Sequence, residues 1–314
     1  MALKSSLNKA SIFIALCLSF TFCKKDSTST GSTGNVSYEM TDSPCDDPNV
    51  QGVFVTVVAV KVDGKAISNF TKTTIDLAAY QRGSTKVIGS TDLQAGTYSN
   101  VTLVLDNTAD QTGAAPGCYI LTKTNEKKII AAAATTEITL AGNFKSVADQ
   151  SSSAVIDFDI RKTIVYDGNS GYKFVTSGEL TSGVRIVQKS ESGTIAGSTS
   201  NTSTTASDKI IVYTYKKGTY YKNTEMQGQG NSNVTFKNAV SSCAVVNNSY
   251  ELHFLESGDY ELHFVSYKNN SNTGKLDIQG EFQASILSGL NLSALSVTSN
   301  ATVNANVTLG LIVP

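Results

Sequence analysis

The amino-acid sequence predicts an all-β protein with two Greek-key β-sandwich domains in tandem. Apolar segments of about four to eight residues recur roughly every ten residues, which is typical of sandwich strands. Helical periodicity is nearly absent. A chain of 314 residues more often forms two domains than one.

The N-terminal residues predict an export signal. Lys4 and Lys9 form a positive n-region, and residues 10–22 form an apolar run. This run is too short for a bilayer span, which needs about 20 residues, and fits a signal-peptide core. The arrangement resembles a bacterial lipoprotein signal, with Phe22 where a small residue is usual and Cys23 as the acylated residue. An ordinary secretory signal, with Cys23 incidental, is the alternative.

We therefore expect a signal peptide over residues 1–22 and a flexible Ser/Thr/Gly tether over residues 23–34. The resemblance implies lipidation of Cys23 and a membrane partner held through this lipid. The expected location is the cell envelope, with the chain exported and lipid-anchored in the outer membrane.

Three further cysteines follow at scattered positions, which excludes Cys-x-x-Cys metal and redox motifs. Cys45 and Cys118 fall in the same predicted domain and are the favoured disulfide pair in an oxidising compartment. Cys243 is interpreted as a small buried apolar residue.

The first predicted domain spans residues 35–188 and contains a series of short strands. Residues 52–62 are nearly continuous β-branched residues, as in a strand buried on both faces, and Asp63-Gly64 closes this strand with a turn. Residues 78–81 form a short helix candidate, and residues 131–134 are interpreted as a strand end. The other predicted strands cover residues 36–40, 73–77, 86–88, 101–106, 118–122, 127–132, 137–140, 154–160, 163–165, 172–175 and 183–187.

The second predicted domain spans residues 189–314, and the polar composition of residues 189–207 marks a boundary or linker at its start. Residues 194–196, inside this polar segment, are the first predicted strand of the new domain. The remaining predicted strands cover residues 208–215, 233–236, 243–246, 250–255, 259–267, 275–282 and 301–312.

One pattern, L-x-x-G-x-Y, occurs in both domains, at residues 93–98 and 255–260. It fits a tyrosine corner, in which the glycine allows the chain to cross between sheets and the Tyr98 or Tyr260 hydroxyl bonds back to the backbone. We expect Gly96 and Gly258 to have positive φ. For the second copy, a tight hairpin that places Leu252 opposite Leu262 is the alternative.

An ordered set of motifs carries a resemblance to a known family. The set comprises residues 38–44, the valine strand, residues 75–77, 93–98, 101–106 and 155–160. It resembles the DUF4382 family of exported bacterial proteins, whose molecular function is undefined. The second half is similar to carboxypeptidase regulatory-like or transthyretin-like modules, through its Gly193 to Gly197 opening and its L-x-x-G-x-Y. These resemblances imply immunoglobulin-like or transthyretin-like sandwiches and bring no catalytic residues.

Few residues suggest chemistry, and we predict no cofactor and no metal site. His253 and His263 are interpreted as solvated or edge positions on strands rather than metal ligands. Carboxylates occur in two groups, at positions 157 and 159 and at positions 42, 46 and 47. Calcium binding by these groups is left open, with solvated carboxylates and turn formers favoured.

Four tyrosines form a possible ligand-contact ledge beside two lysines: Tyr213, Tyr215, Tyr220 and Tyr221. Tyr213 and Tyr215 share a strand face, so a place in the core is the alternative. A formal net charge of −1 gives no electrostatic footprint for nucleic acid. The favoured function is a non-catalytic lipoprotein that binds a glycan, protein or matrix component or acts as a spacer. A carboxylate-only glycosidase is the alternative.

Overall fold

The structure, a computed structural model, describes residues 31–43, 47–166, 171–201, 207–270, 275–286 and 289–314. Ser32–Pro314 form one compact unit. The predicted signal peptide, Cys23 and most of the predicted tether lie outside the described residues. Within the described part of the chain, no helix has the length and apolar character needed to cross a membrane.

Strands dominate residues 33–188, here called the first half. They are β1 (Thr33–Ser43), β2 (Val50–Val62), β3 (Lys65–Ala66), β4 (Thr73–Asp76), β5 (Lys86–Gln94), β6 (Gly96–Tyr98), β7 (Val101–Asp106), β8 (Tyr119–Thr122), β9 (Lys127–Ile129), β10 (Thr135–Thr139), β11 (Ala141–Ser146), β12 (Ser151–Asp159), β13 (Ile164–Tyr166), β14 (Tyr172–Phe174) and β15 (Val184–Gln188). Two short helices, α1 (Ile160–Thr163) and α2 (Ser177–Gly183), and a 3-10 turn at Leu77–Ala79 complete this half.

Two sheets of the first half enclose one apolar core. The six-stranded sheet has the order β5-β1-β12-β15-β11-β6, and the seven-stranded sheet has the path β10-β7-β2-β8-β9, with β3 and β4 also on β2. Alternate residues of β1 and β2 point inward because strand side chains alternate in direction. Val36, Tyr38 and Met40 of β1 are completely buried. The Tyr38 ring meets the Phe144 ring edge-on, with 5.7 Å between centroids.

The six-stranded sheet is mixed, because β1 pairs with β12 in parallel from Asn35↔Ser151 to Ser43↔Asp159. Its two edge strands, β5 and β6, are consecutive in the chain and are separated only by Ala95. The Ala95 amide donates to the Ser32 carbonyl at 3.0 Å, and the Ser146 hydroxyl donates to the Leu93 carbonyl at 3.0 Å. The chain therefore crosses from one edge of this sheet to the other within one residue.

Residues 189–314, here called the second half, build a further β structure. Its strands are β16 (Ser192–Asn201), β17 (Lys209–Lys216), β18 (Ser241–Ala244), β19 (Ser249–Glu256), β20 (Gly258–Asn270), β21 (Lys275–Ile286), β22 (Leu295–Val297), β23 (Thr302–Asn304) and β24 (Val307–Val313). A 3-10 turn at Lys189–Glu191 and a short helix, α3 (Lys222–Glu225), are also present.

These strands form one sheet with the path β18-β17-β20-β21-β24-β16-β19, to which β22 and β23 add at β20 and β16. The two ends of the path are joined by a tight turn closed by the Val246↔Ser249 bridge. Apolar side chains from both ends of the path meet in one core, which includes Val212, Tyr250 and Phe264. The predicted all-β fold of tandem sandwiches is confirmed.

The hairpin alternative for the second L-x-x-G-x-Y pattern is wrong. Leu252 on β19 lies opposite Ile195, and Leu262 on β20 lies opposite Thr214, so β19 and β20 pair with different strands. The chain turns between them at Gly258, which has φ of +149°. A positive φ is predicted for both pattern glycines. The prediction is correct for Gly258 and wrong for Gly96, whose φ is not positive.

Several local predictions differ from the structure. Residues 233–236 form turns rather than a strand, and residues 131–134 are bends rather than a strand end. Helices α2 and α3 had no periodic signal because each is only one or two turns long. Part of the predicted linker, Ser192–Asn201, is strand β16, which pairs with β19 from Ser192 to Ser198 and with β24 from Thr199 to Asn201. The domain boundary itself stays a prediction.

Candidate functional site

The two predicted cysteine sites are only partly described. Cys23 and Cys45 lie outside the described residues. Cys118 is a free, buried thiol whose sulfur accepts a hydrogen bond from the Thr56 amide and donates to the Asp106 carbonyl, each at 3.4 Å. Burial raises the pKa of this thiol to about 11. Pairing with Cys45 stays a prediction.

The four predicted ledge tyrosines do not form one exposed surface. Tyr213 and Tyr215 are completely buried, because strand β17 lies between β18 and β20 and is also covered by Phe236. The Tyr213 ring stacks on Phe236 at 4.0 Å between centroids. Tyr220 is half-buried against His263, and Tyr221 alone is well exposed, at 68%. The prediction of a ligand-contact ledge is therefore corrected: Tyr213 and Tyr215 are core residues, and of the four tyrosines only Tyr221 is well exposed.

The two histidines are partly buried rather than solvated. His253 lies between the Thr194 hydroxyl, 3.2 Å from Nδ1, and the Glu251 carboxylate, 2.9 Å from Nε2. His263 contacts Glu281 through Nδ1 and stacks on the Tyr220 ring at 3.6 Å. Among the described residues, no group of three or more His, Cys, Asp or Glu side chains is placed to hold a metal ion.

The predicted acidic positions 42, 157 and 159 come together with three cationic side chains where the first half meets the second. This seam cluster consists of Asp42, Asp157, Asp159, Arg161, Lys162 and Arg185, all in the first half. Asp46 lies outside the described residues, and Asp47 lies at a different site described below.

The cations of the seam cluster each connect a carboxylate to the second half. Arg185 donates twice to Asp157, at 3.0 and 2.7 Å, and once to the Phe254 carbonyl at 2.8 Å. Arg161 donates to Asp159 at 3.1 Å and to two second-half carbonyls, of Thr235 at 2.7 Å and Phe236 at 3.0 Å. These bonds join the two halves.

Lys162 completes the contact, since its ammonium donates to the Ala239 carbonyl at 2.6 Å. Burial lowers the pKa of this ammonium to about 8. Burial, together with the negative charges of Asp159 and Asp157, raises the pKa of Asp42 well above its ordinary value. The adjacent cavity, lined by Asp42 and Asp157, has a volume of only about 40 Å³. A cavity of this size holds a few water molecules and excludes a sugar ring.

A more open site surrounds the hairpin of β13 and β14, here called the tyrosine hairpin. Tyr166 and Tyr172 lie directly opposite each other on the two strands, with ring centroids 5.4 Å apart and planes at 65°. Such a cross-strand aromatic pair stabilises a short hairpin. The Tyr172 hydroxyl donates to Asp47 at 2.8 Å, while the Tyr166 ring is 42% exposed.

Three clefts meet at the tyrosine hairpin, and Tyr172 lines all of them. The first, of about 290 Å³, lies between the halves and includes Arg161 and Lys275 in its wall. The second, of about 300 Å³, includes Lys123 and Lys128. The third, of about 620 Å³, is formed mainly by small apolar residues of the β9–β10 segment. Ligand sites commonly occur in concave surfaces of this kind at domain interfaces.

Sequence reasoning missed this site although a signal was present. Residues 166–172 read Tyr-Asp-Gly-Asn-Ser-Gly-Tyr, a turn sequence flanked by two tyrosines. An Asp-Gly pair between β residues is a hairpin signal, and matched flanking tyrosines then predict an aromatic pair. The connecting residues 167–170 lie outside the described residues.

Residues 33–176 match the model of the family described as Domain of unknown function (DUF4382). The resemblance predicted for the first half is therefore confirmed over most of its length. The match ends before β15, which completes the six-stranded sheet between β12 and β11. No curated protein sequence is significantly similar to this chain.

Solved structures show distant similarity. The TIE protein of Bacillus anthracis is 11% identical with a TM-score of 0.21, and the match covers 88% of this chain but only 35% of that protein. The minor pilin of Streptococcus agalactiae is 12% identical with a TM-score of 0.21, over 88% of this chain and 96% of the pilin. The major pilin subunit of Bacillus cereus is 10% identical with a TM-score of 0.21, over 88% and 70%. Similarity at this level gives no information on function.

Proposed function

We propose that this protein is an exported, lipid-anchored, non-catalytic module that binds a ligand at the cell envelope. The observation that carries the proposal is the set of clefts around the tyrosine hairpin, which combine an exposed aromatic ring with cationic side chains. The N-terminal apolar run and Cys23 support the anchor, and the Ser/Thr/Gly tether would hold the folded part away from the membrane.

The use of the ionisable groups supports a binding role over hydrolysis. A glycosidase needs two carboxyl groups about 5 to 10 Å apart across an open cleft. In the seam cluster, Asp157 and Asp159 are buried and are engaged by Arg185 and Arg161. The cavity lined by Asp157 is too small for a sugar, and Asp159 does not line it. These carboxylates serve the contact between the halves.

The anchor is tested by fractionation and mass spectrometry of the exported chain. The wild-type protein should enter the detergent phase and carry acyl mass on Cys23. Cys23→Ser should remove both properties, whereas Cys17→Ser, inside the apolar run, is the matched control and should change neither. A Cys23→Ser protein that is processed and retained in the membrane as before would overturn the anchor.

A further inference from the structure

We propose that strand β1 has a mechanical function: it transmits tension from the membrane tether to the rest of the protein, and its pairing with β12 places this tension in shear. The inference rests on the proposed lipid anchor and extends it, because a protein anchored at one end and bound elsewhere is pulled between two points. Three observations carry it: the position of β1 in its sheet, the direction of β12, and the attachment of the end of β12 to the second half.

Strand β1 begins where the predicted tether ends, and it lies in the interior of the six-stranded sheet. Its neighbours are β5 on one side and β12 on the other, and each pairs with it over most of its 11 residues. Its inward side chains Val36, Tyr38 and Met40 are completely buried. A pull on the tether therefore acts on a strand that two hydrogen-bond ladders and the apolar core hold in place.

The parallel direction of β12 determines how this pull is resisted. Asn35 lies opposite Ser151 near the start of both strands, and Ser43 lies opposite Asp159 at the end of both. The tether pulls β1 from its start, whereas the chain continues into α1 from the end of β12. Opposed forces at these two points act along the strands rather than along the hydrogen bonds between them. The bonds of the ladder must then break together, whereas a force across the strands would open one pair at a time.

The end of β12 is also the place where the first half holds the second. Arg161 and Lys162 of α1, directly after β12, donate to the backbone carbonyls of Thr235, Phe236 and Ala239. A force on the second half therefore reaches the end of β12 through these hydrogen bonds.

The covalent connection between the halves would direct the force differently. It leaves β15 at Gln188, which lies opposite Ala154, nearer to the start of β12. Force that entered the sheet there would act on fewer pairs of the ladder. The seam cluster thus keeps the pull on the second half directed to the far end of β12, where the whole ladder resists it.

The test pulls single molecules of the full chain with optical tweezers in two directions. One handle is attached through an azide-bearing amino acid at the exposed position 32, and the other at position 178 or position 151, both exposed. A side chain at Gly178, in the helix that precedes β15, meets no atom within 4 Å, so the handle fits there. Pulling between 32 and 178 acts along β1, and pulling between 32 and 151 peels β1 from β12.

The first unfolding event should shift to a clearly higher force when the molecule is pulled between 32 and 178. Both measurements use the same folded protein, so a difference in force reports the barrier along each direction and not the equilibrium stability. Equal forces in the two directions would overturn the inference.

Matched disulfides identify the ladder that resists the pull. Ser37→Cys with Ser153→Cys joins β1 to β12 at directly opposite positions, and the strand separation of about 4.8 Å suits a disulfide. When this bond is oxidised, the first event between 32 and 178 should be lost, and reduction should restore it. Thr102→Cys with Thr139→Cys joins opposite residues of β7 and β10 in the other sheet and should leave the event unchanged. Circular dichroism melts of each variant serve as the folding control.

A handle at the exposed Lys217 tests the role of the seam cluster. Pulling between 32 and 217 should give the high-force event in wild type, and Arg161→Ala should lose it. The same variant pulled between 32 and 178 should retain more of its resistance, since that direction does not pass through the second half. Equal losses in the two directions would mean that Arg161 acts through stability alone and would remove the seam cluster from the inference.

The remaining outcomes separate the ladder from the anchor. An oxidised disulfide between positions 37 and 153 that leaves the first event unchanged would overturn the role of the β1–β12 ladder. The handles replace the lipid in all of these measurements, so this result would leave the proposed anchor intact. A Cys23 that carries no acyl group would instead overturn the anchor, and with it the source of the tension.

Discussion

The Tyr260 hydroxyl donates a hydrogen bond to the Glu256 carbonyl, four residues upstream, at 2.7 Å. Tyr98 makes the same bond to Gln94 at 2.8 Å. The two copies of the L-x-x-G-x-Y pattern therefore share the backbone contact predicted for a tyrosine corner. They differ in burial, since the Tyr260 ring is completely buried and the Tyr98 ring only partly.

Tyr260→Phe should lower the free energy of unfolding by about 0.5–1.5 kcal/mol, because it removes this hydrogen bond. The hydroxyl also accepts a bond from the Lys216 ammonium at 2.7 Å, which is lost with it. Tyr98→Phe should lower the free energy of unfolding by less, because the Tyr98 side chain is only partly buried and water reaches it. Urea denaturation measures both variants, with the exposed Tyr221→Phe as the control. An unchanged urea midpoint for Tyr260→Phe would contradict the corner.

The two pattern glycines should respond differently to substitution. Gly258→Val should destabilise by about 1–3 kcal/mol, because a φ of +149° is strained for a side-chain-bearing residue. A Cβ added at Gly96 meets no atom within 4 Å, and φ there is not positive. Gly96→Val should therefore leave stability nearly unchanged. If thermal melts show an equal loss of stability for the two variants, the prediction is wrong and both turns need the same backbone conformation.

Asp42→Asn should stabilise the protein at neutral pH. The folded-state pKa of Asp42 is raised by burial and by Asp159 and Asp157, so the native state loses stability as pH rises from the unfolded pKa, about 3.9, toward the folded value. Asparagine keeps the oxygen that accepts from the Ile160 amide at 3.0 Å. The gain in Tm should be largest near pH 7 and should shrink toward pH 4.

The control for this prediction is Asp259→Asn, which replaces an exposed carboxylate. It should melt at nearly the same temperature as the wild type at each pH from 4 to 7. An Asp42→Asn protein that melts below wild type at pH 7 would mean that the Asp42 carboxylate is ionised and is stabilised by its cationic neighbours.

Arg161→Ala should lower the free energy of unfolding by about 3–5 kcal/mol, because it leaves Asp159 buried without its guanidinium partner. It also removes two bonds to the second half. Arg161→Lys keeps the charge but not the planar set of donors and should lose less. Calorimetry should show one transition for wild type. An Arg161→Ala protein as stable as the wild type would exclude Arg161 as a main connection between the halves.

Most strands were predictable because local sequence sets them. The β-branched run at residues 52–62 forms β2, and the alternation at residues 36–40 forms the inward face of β1. The pattern also placed Tyr213 and Tyr215 on one strand face, but it could not separate an exposed face from a covered one. That distinction depends on Phe236, which packs on Tyr213 from a segment without regular structure.

The seam cluster could not be derived from spacing alone. Asp42 and Asp159 are brought together by the parallel pairing of β1 with β12, whose residues are more than a hundred positions apart in sequence. Parallel pairing leaves no local turn signal, because the connection runs through the rest of the first half. In addition, Arg161 and Lys162 donate to backbone carbonyls of the second half. Every residue type provides a backbone carbonyl, so the sequence of the second half does not indicate these partners.

This use of main-chain acceptors has an evolutionary consequence. Arg161, Lys162 and Arg185 donate hydrogen bonds to the backbone carbonyls of residues 235, 236, 239 and 254. Because every residue type has a backbone carbonyl, a substitution at any of these four positions keeps the acceptor. The contact with the first half therefore places no demand of its own on these side chains, and Phe236, Ala239 and Phe254 are constrained by their burial instead. Sequence divergence between relatives should spare the three donors and, among the four acceptor positions, should appear first at Thr235, which is not buried.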